Sequence, residues 1–590
     1  MQEIDLPKES VAPSSWFGVE SPLFTQTKVR WMFRLVAVTL GTFQAWAARN
    51  VINPDGRSHL EVARAYLRTD WSMAVNAYWG PLYSWIMAAV LGATKPGLRA
   101  EFPVIHAMNF VLFVFLILAF ELFWSELLLS SQAVRNHDSG DKAARPPTSV
   151  LWLMGYALFI WLTTSLLVPL INADLCVAIF VLLDLGLLLK INNRLIPGSP
   201  VFIFFGMALA AGYMAKAVMF PIGFVFLALS AVSCNYAGNR KRLVWSLLIF
   251  LFLSAPVILS FSHAKGHLTF SESGKLPFAW SNYNLPIRNW QGEPPSSGIP
   301  LHPTRKIYDH PAVFEFNGPI RASYPPWYDP SYWNAGMSPT FSTKVVLRHA
   351  LQNLPEMAAS LLLPRIWLCG LLVLFLFSQL RATAAGILRH WYLLTASAIL
   401  FGLYLLSFWE LRYLPAWIIV FWGVVIAGLR IRQGTQHHSL LLWIALLAAL
   451  LPTLQIAHGI YGQMRNVRPD DATPDYVTAE GLKKIGVQPG EKVASIGFDN
   501  DAYFAYLGGL SVVAEINTQD TCEFWQASPA IQTGVMESFR RAGVQVVVAN
   551  LGGSVRNTTF EIPADVAKCA RPGPDWLQIE GSPNRALWLK

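Results

Sequence analysis

Apolar runs recur along the chain with short polar breaks between them, a pattern that argues for helices solvated by lipid rather than by water. The first run, Trp31 to Ala48, follows the polar residues 1–30 and is too long and wrongly flanked for a cleaved signal peptide. Further runs lie at 83–94, 103–129, 149–169, 172–190, 201–233, 243–261, 358–379, 391–408, 413–429 and 440–458. Since about 17–25 residues cross a bilayer as a helix, these runs predict a polytopic α-helical membrane domain over 31–458 with roughly 11 to 13 transmembrane helices. The 201–233 run reads as two short spans that turn back near Lys216.

Two polar breaks are too long to be links. Residues 262–355 are rich in aromatics and Pro, and end in an amphipathic stretch, Thr343 to Leu354, suited to a membrane surface. Beyond 460 the pattern changes to helix-like Ala479–Ile485, strand-like Lys492–Ile496, helix-like Asp501–Leu507, strand-like Ser511–Ile516, helix-like Ile531–Ala542 and strand-like Val544–Ala549. This predicts a small α/β domain over 460–590.

Charge supplies the sidedness. Lys28, Arg30 and Arg34 at the first run place residues 1–30 in the cytoplasm, and the basic gaps around Arg145, Lys190 and Arg194, Arg240 to Arg242, Arg381 and Arg389, and Arg430 and Arg432 belong on the same side. The loops 49–80 and 262–355 and the C-terminal domain then face outward. Parity fails once, between residue 80 and the basic gap near Arg135: either one of the two apolar blocks there does not cross, or a third span is hidden.

Composition agrees with a lipid environment: 54% of the 590 residues are hydrophobic and 14% charged, with a mean hydropathy of +0.39, against about a quarter charged in ordinary globular chains. The net charge of +9 is spread over loops and forms no nucleic-acid-binding arm. Cys176, Cys234 and Cys369 lie in or beside apolar runs as small hydrophobes. Cys522 and Cys569 fall in polar sequence, where they are able to pair if that region is outside the cytoplasm.

With so few charges, the polar residues on the outward side stand out. The first loop reads Asn53-Pro54-Asp55-Gly56, then Ser58 and Glu61 spaced as a capping box that starts a surface helix, leaving Asp55 just outside it. His59 reads as interfacial packing. Tyr78-Trp79-Gly80-Pro81-Leu82-Tyr83 follow. Asp174 opens a span, Lys216 sits at a turn, and Glu410 and Arg412 occupy a short link. Ionisable groups at membrane depth are costly and mark function, although snorkelling and a simple Glu410–Arg412 surface pair remain the alternatives. The large loop adds Trp290, Glu293, His302, Arg305, Trp327 and Tyr328, whose aromatic faces and polar groups suit a sugar, or equally a loop that packs its own aromatics.

Taken together, Asn53 to Gly56 with Tyr78 to Tyr83, Asp174, the Gly212 to Pro221 stretch around Lys216, and Glu410-Leu411-Arg412-Tyr413-Leu414-Pro415 resemble the GT-C superfamily of membrane glycosyltransferases, in its bacterial branch related to protein O-mannosyltransferases and the lipid A aminoarabinose transferase. The resemblance covers the chain to about residue 458. Many relatives carry two adjacent acidic residues in the first loop, whereas Asp55 is followed by Gly56. The resemblance implies a hexosyl- or pentosyltransferase of the bacterial cytoplasmic (inner) membrane, with a polyprenyl-phosphate sugar as donor and a glycan, lipid or protein hydroxyl as acceptor on the outer face. Asp55 is then the general base, Asp174 its catalytic neighbour, and Lys216 and Arg412 the phosphate ligands. Tyr78, Trp79, Glu410 and the loop residues contact substrate, and any divalent cation, Mg or Mn, falls to Asp55 and Asp174. The competing classes are a transporter or flippase of lipid-linked sugars, which the lack of an internal repeat disfavours, and a non-catalytic assembly protein.

Overall fold

In the computed structural model, residues 25–132, 143–194, 198–234, 236–283, 304–316, 322–329, 341–432, 438–466, 474–551 and 566–589 are described. Helix α1 (Gln26–Ala47) is capped by Thr25 and leads to the amphipathic α2 (Pro54–Leu67), the short α3 (Trp71–Ala74), α4 (Pro81–Thr94) and the long α5 (Leu98–Ser130). Then come α6 (Thr148–Leu166), α7 (Asp174–Asn193), α8 (Ser199–Ala215), α9 (Met219–Ser233) and α10 (Ala237–Lys265). Long helices at Thr343–Leu361, Arg365–Leu376, Trp391–Leu406, Pro415–Gly428 and His438–Asn466 complete the helical part.

Only some of these helices meet a crossing by their own length. Among the described residues four are long and apolar enough, and six if two pairs bent by 74° and 70° each count as one span. Four more apolar helices are shorter. The expected 11 to 13 spans therefore exceed what length and composition support, because several apolar runs are broken by Pro, Gly or a polar turn. At the parity gap α4 has 14 residues, about 21 Å of helix against a hydrocarbon core of about 30 Å, and α9 and Pro415–Gly428 are similarly short. The 201–233 run does divide into α8 and α9, at Lys216.

The bundle core is built on Trp124, Trp152, Trp367 and Trp417, all fully buried. The outside of α10 is the reverse: Trp245, Phe252 and Leu259 are exposed, Phe252 by 76%, an apolar face that water solvates poorly. Cys176 and Cys234 are buried as expected, but Cys369 is exposed, on an apolar helix face.

The C-terminal region forms a three-layer α/β unit, and its sheet draws on the large loop. Strands β1 (Ala143–Ala144) and β4 (Ile431–Arg432) pair by themselves, whereas β2 (Thr304–Tyr308), β3 (Val313–Phe316), β5 (Lys492–Ile496), β6 (Ser511–Ile516), β7 (Val546–Ala549), β8 (Leu577–Gln578) and β9 (Arg585–Trp588) make a sheet of order β2-β3-β6-β5-β7-β9-β8. The parallel centre pairs Val493 with Val512 on one side and Val546 on the other. Its valines and alanines are buried on both faces, as a central parallel strand requires. The helices Pro474–Lys484 and Tyr503–Gly508 cover one face through Leu482 and Phe504, and Pro529–Arg541 the other through Val535 and Phe539. Cys522 and Cys569 form a disulfide with Cα atoms 5.4 Å apart.

Candidate active site

Helix α2 begins five residues earlier than the capping-box reading expects. Asn53 is its N-cap position and Pro54 its first residue, so Asp55 lies in the first turn, where the helix dipole favours a carboxylate. Glu61 does not cap; it accepts hydrogen bonds from the backbone N–H (3.1 Å) and the hydroxyl of Ser323. Burial pushes the Glu61 carboxyl up, against Arg57 and Ser323.

Two docking contacts fix where α2 points. The Asn53 side chain accepts from the Ile171 N–H at 3.1 Å, and a Cβ on Gly56 would meet the Ile171 carbonyl at 2.7 Å. The start of α2 is thereby held against the turn before α7, whose own Asn172 accepts from the Asp174 N–H at 3.1 Å. Gly80 plays the same part for the next segment: a Cβ there would lie 2.5 Å from the Ala215 carbonyl and 2.6 Å from that of Met214, so only Gly permits this approach to the turn at Lys216.

These contacts bring five expected residues together. Arg412, in the turn Leu411–Tyr413, donates from Nη1 to Asp55 Oδ2 at 2.5 Å and from Nε to Glu410 Oε2 at 2.6 Å, and its Nε lies 3.7 Å from Asp174 Oδ2. Lys216 Nζ donates to the other Asp174 oxygen at 2.6 Å and sits 3.6 Å above the Tyr413 ring. Burial opposes the Arg412 charge, but Asp55, Tyr413, Asp174 and Glu410 outweigh it and hold the guanidinium above its usual range. A small cleft beside the cluster is lined by Asp174, Arg412, Tyr413, Tyr404 and Trp417. Tyr413, which the sequence reading quotes only as a neighbour, is thus a wall of the site and the platform for Lys216.

Tyr78 belongs to the same neighbourhood, since burial and then the charges of Asp55, Asp329 and Glu410 push its phenol up. Trp79 packs at 4.8 Å on Tyr78 and 5.1 Å from His59, and donates its indole N–H to the Tyr328 carbonyl at 3.0 Å. Tyr328 itself is buried among Val62, Ala65 and Met73, so it anchors the loop to α2. His59 is packing, as expected: it lies against Ser84 and Tyr83, and burial pushes it down to about 4. Arg305 pairs with Glu315 at 2.8 Å across the β2–β3 hairpin and makes no contact with the Asp55 cluster among the described residues. Trp327 lies in the short helix Pro325–Tyr328. Trp290, Glu293 and His302 lie outside the described residues.

The carboxylates expected to hold any divalent cation are paired with side-chain cations. Asp55 and Asp174, the expected pair, both face Arg412, and the second Asp174 oxygen is taken by Lys216. Among the described residues no three His, Cys, Asp or Glu side chains converge as a metal site.

An α-helical membrane bundle carrying an α/β unit, with a half-buried acid–base cluster at the helix ends, is the class that fold and site define. No protein-family model matches the chain, and no curated protein matches it. Among solved structures it is similar to ArnT from Cupriavidus metallidurans bound to undecaprenyl phosphate, with 11% identity, 94% of this chain and 97% of that chain covered, and a TM-score of 0.49. It is also similar to the oligosaccharyltransferase of Archaeoglobus fulgidus tethered with an acceptor peptide (12% identity, 90% and 70% covered, TM-score 0.49) and to that protein in complex with Zn and sulfate (13%, 89% and 68%, TM-score 0.47).

Proposed function

We propose that this protein is a GT-C-like glycosyltransferase that moves a hexose or pentose from a polyprenyl phosphate to an acceptor hydroxyl on the outer face of the cytoplasmic membrane. The observation that carries this reading is the junction of Asp55 and Arg412, 2.5 Å apart, with Asp174 and Lys216 beside it at 2.6 Å. An acceptor hydroxyl sheds its proton as it attacks the anomeric carbon, and Asp55 is the base. The leaving group is a lipid phosphate, which needs cations more than an acid. Arg412 offers a planar fork. Lys216 spends one contact on Asp174, and an ammonium has three donors. A single displacement of this kind inverts the anomeric centre.

Because Arg412 already holds Asp55, donor binding exchanges one anion for another. A phosphate oxygen drawn onto the guanidinium releases Asp55 Oδ2 toward the acceptor, so the base becomes free once the donor is in place. Asp174 keeps Lys216 aimed at the same point. Tyr78, Trp79 and Glu410 border the site on the acceptor side. No step needs a metal. The disulfide in the outer unit supports an exported location for that unit.

The test is transfer from undecaprenyl-phosphate-linked hexoses and pentoses by purified protein. Asp55→Asn is expected to lower kcat by about 10²–10⁴-fold, the usual worth of a positioned base, while undecaprenyl phosphate binding persists. Wild-type turnover by a folded Asp55→Asn protein would remove Asp55 from this role. Asp184 favours a second reading, a flippase: it is buried in the middle of α7 with neither oxygen hydrogen-bonded among the described residues. Transbilayer movement of a fluorescent lipid-linked sugar without any transfer product is the outcome that would select it.

A further inference from the structure

Helix α2 presents two opposite faces to two different parts of the molecule. At about 100° per residue, Arg57, Glu61 and Arg64 fall on one face, and Asp55 and His59 lie about 160° round from Arg57. Asp55 and His59 face the membrane helices through Arg412 and Ser84. The other face meets Ser323, Tyr324, Tyr503 and Tyr506, with Glu101 of α5 beside them. The Arg57 guanidinium is 5.2 Å from the Tyr324 ring centre and 5.1 Å from that of Tyr503, with Arg57 only 1% exposed and both Nη atoms without a hydrogen bond among the described residues. Glu61 holds Ser323. Arg64 donates from Nε to the Tyr506 hydroxyl at 2.8 Å and to Glu101 at 3.0 Å, and that hydroxyl donates to the second Glu101 oxygen at 2.9 Å.

Tyr503 and Tyr506 belong to one helix of the C-terminal unit, Tyr503–Gly508. Ser323 and Tyr324 belong to the large loop but are tied into the same unit: the Val512 N–H donates to the Ser323 carbonyl at 2.9 Å, and the Tyr324 hydroxyl donates to Glu515 of β6 at 2.9 Å. The Arg57 guanidinium is held by two ring faces beside the Glu61 carboxylate, and a buried cation–π contact is strong because its water has been removed. Leaving Arg57 buried without those rings would strip its desolvated charge of two of its contacts.

From this we infer that the C-terminal domain is a clamp on α2 and not an accessory: Arg57, Arg64, Tyr503 and Tyr506 are positioning residues that set the helix carrying Asp55. This rests on the role of Asp55 proposed above. The clamp reaches the site through a rigid lever, since Asp55 is two residues from Arg57, and a small turn of α2 moves its carboxylate off Arg412 and off the acceptor.

The experiment uses the full chain in lipid nanodiscs with two readouts: amide hydrogen exchange across residues 54–67, and kcat and donor KM with undecaprenyl-phosphate-linked sugars, normalised to undecaprenyl phosphate bound. Tyr503→Leu is expected to raise α2 exchange and to lower kcat by about tenfold, the scale of one desolvated cation–π contact, with donor KM within about threefold. Tyr503→Phe keeps the ring and restores both. Tyr506→Phe, which removes only the hydroxyl, gives a smaller shift in the same direction and keeps the test open if Tyr503→Leu does not fold. Unchanged α2 exchange overturns the clamp, and faster exchange with unchanged kcat overturns its role in positioning. If the wild-type protein transfers no sugar, the transferase reading fails and the exchange data alone decide whether the domain clamps α2.

Discussion

Arg412 is the residue on which the site turns, and its environment explains why the sequence understates it. Three carboxylates share one guanidinium, so its side chain is 15% exposed although it stands in a link between helices. A local Glu410–Arg412 pair does form, as the simpler reading anticipates, but it is one arm of a larger network. Lys216 has the plainer position, with one carboxylate and one aromatic face. Its replacement by Ala is expected to raise the donor KM about tenfold, since a hydrogen bond to a charged group is worth roughly 1.5–3 kcal/mol, and to leave kcat nearly unchanged because the phosphate contact exists in the ground state. A collapse of kcat at constant KM would assign Lys216 to the transition state instead.

Elements matter here mostly through their ends. The starts of α2, α7 and Pro415–Gly428 and the end of α8 meet where backbone groups are free and chains turn, which is where polar side chains are tolerated at membrane depth. Glycines allow the ends to touch. Gly80→Ala is therefore expected to cost about 1–3 kcal/mol, the range for overpacking, since the methyl would press on two carbonyls. The same change should lower transfer further than its stability cost explains, because it separates Tyr78 and Trp79 from the Lys216 turn. Thermal unfolding and turnover measured on the one variant check both, and an Ala protein as stable and active as the parent would show that the approach is not needed. The start of α2 follows the same rule: Pro is a good first helical residue, and docking on Ile171 sets the start at Pro54 rather than after Ser58.

At the scale of the whole molecule, sidedness is the property to test. Cys522 and Cys569 are 47 residues apart and paired, and such a bond persists in an oxidising compartment. Protein taken rapidly from cells and alkylated is expected to show these two thiols blocked until reduced, and Cys369 free. Two free thiols there would place the C-terminal domain in the cytoplasm and reverse the orientation. Breaking the bond with Cys522→Ser is expected to destabilise the C-terminal unit by about 4 kcal/mol on the chain-entropy scale for a loop of this length, which calorimetry of the full chain reads.

The sequence by itself determined what is periodic or compositional: the helical membrane part, the α/β pattern after residue 460, the turn at Lys216, and the gathering of Asp55, Asp174, Lys216, Glu410 and Arg412 on one side. Each follows from the solvation of apolar runs and the placement of scarce charges, which are local and additive. Tertiary structure alone decided the contacts that join distant segments. These are the guanidinium shared by Asp55 and Glu410, the hairpin of the large loop added to the C-terminal sheet, the reassignment of Glu61 from cap to Ser323 ligand, and the grip of Tyr503 and Tyr506 on α2. Such contacts depend on side chains hundreds of residues apart meeting at a few ångströms, and no period along one chain encodes that distance.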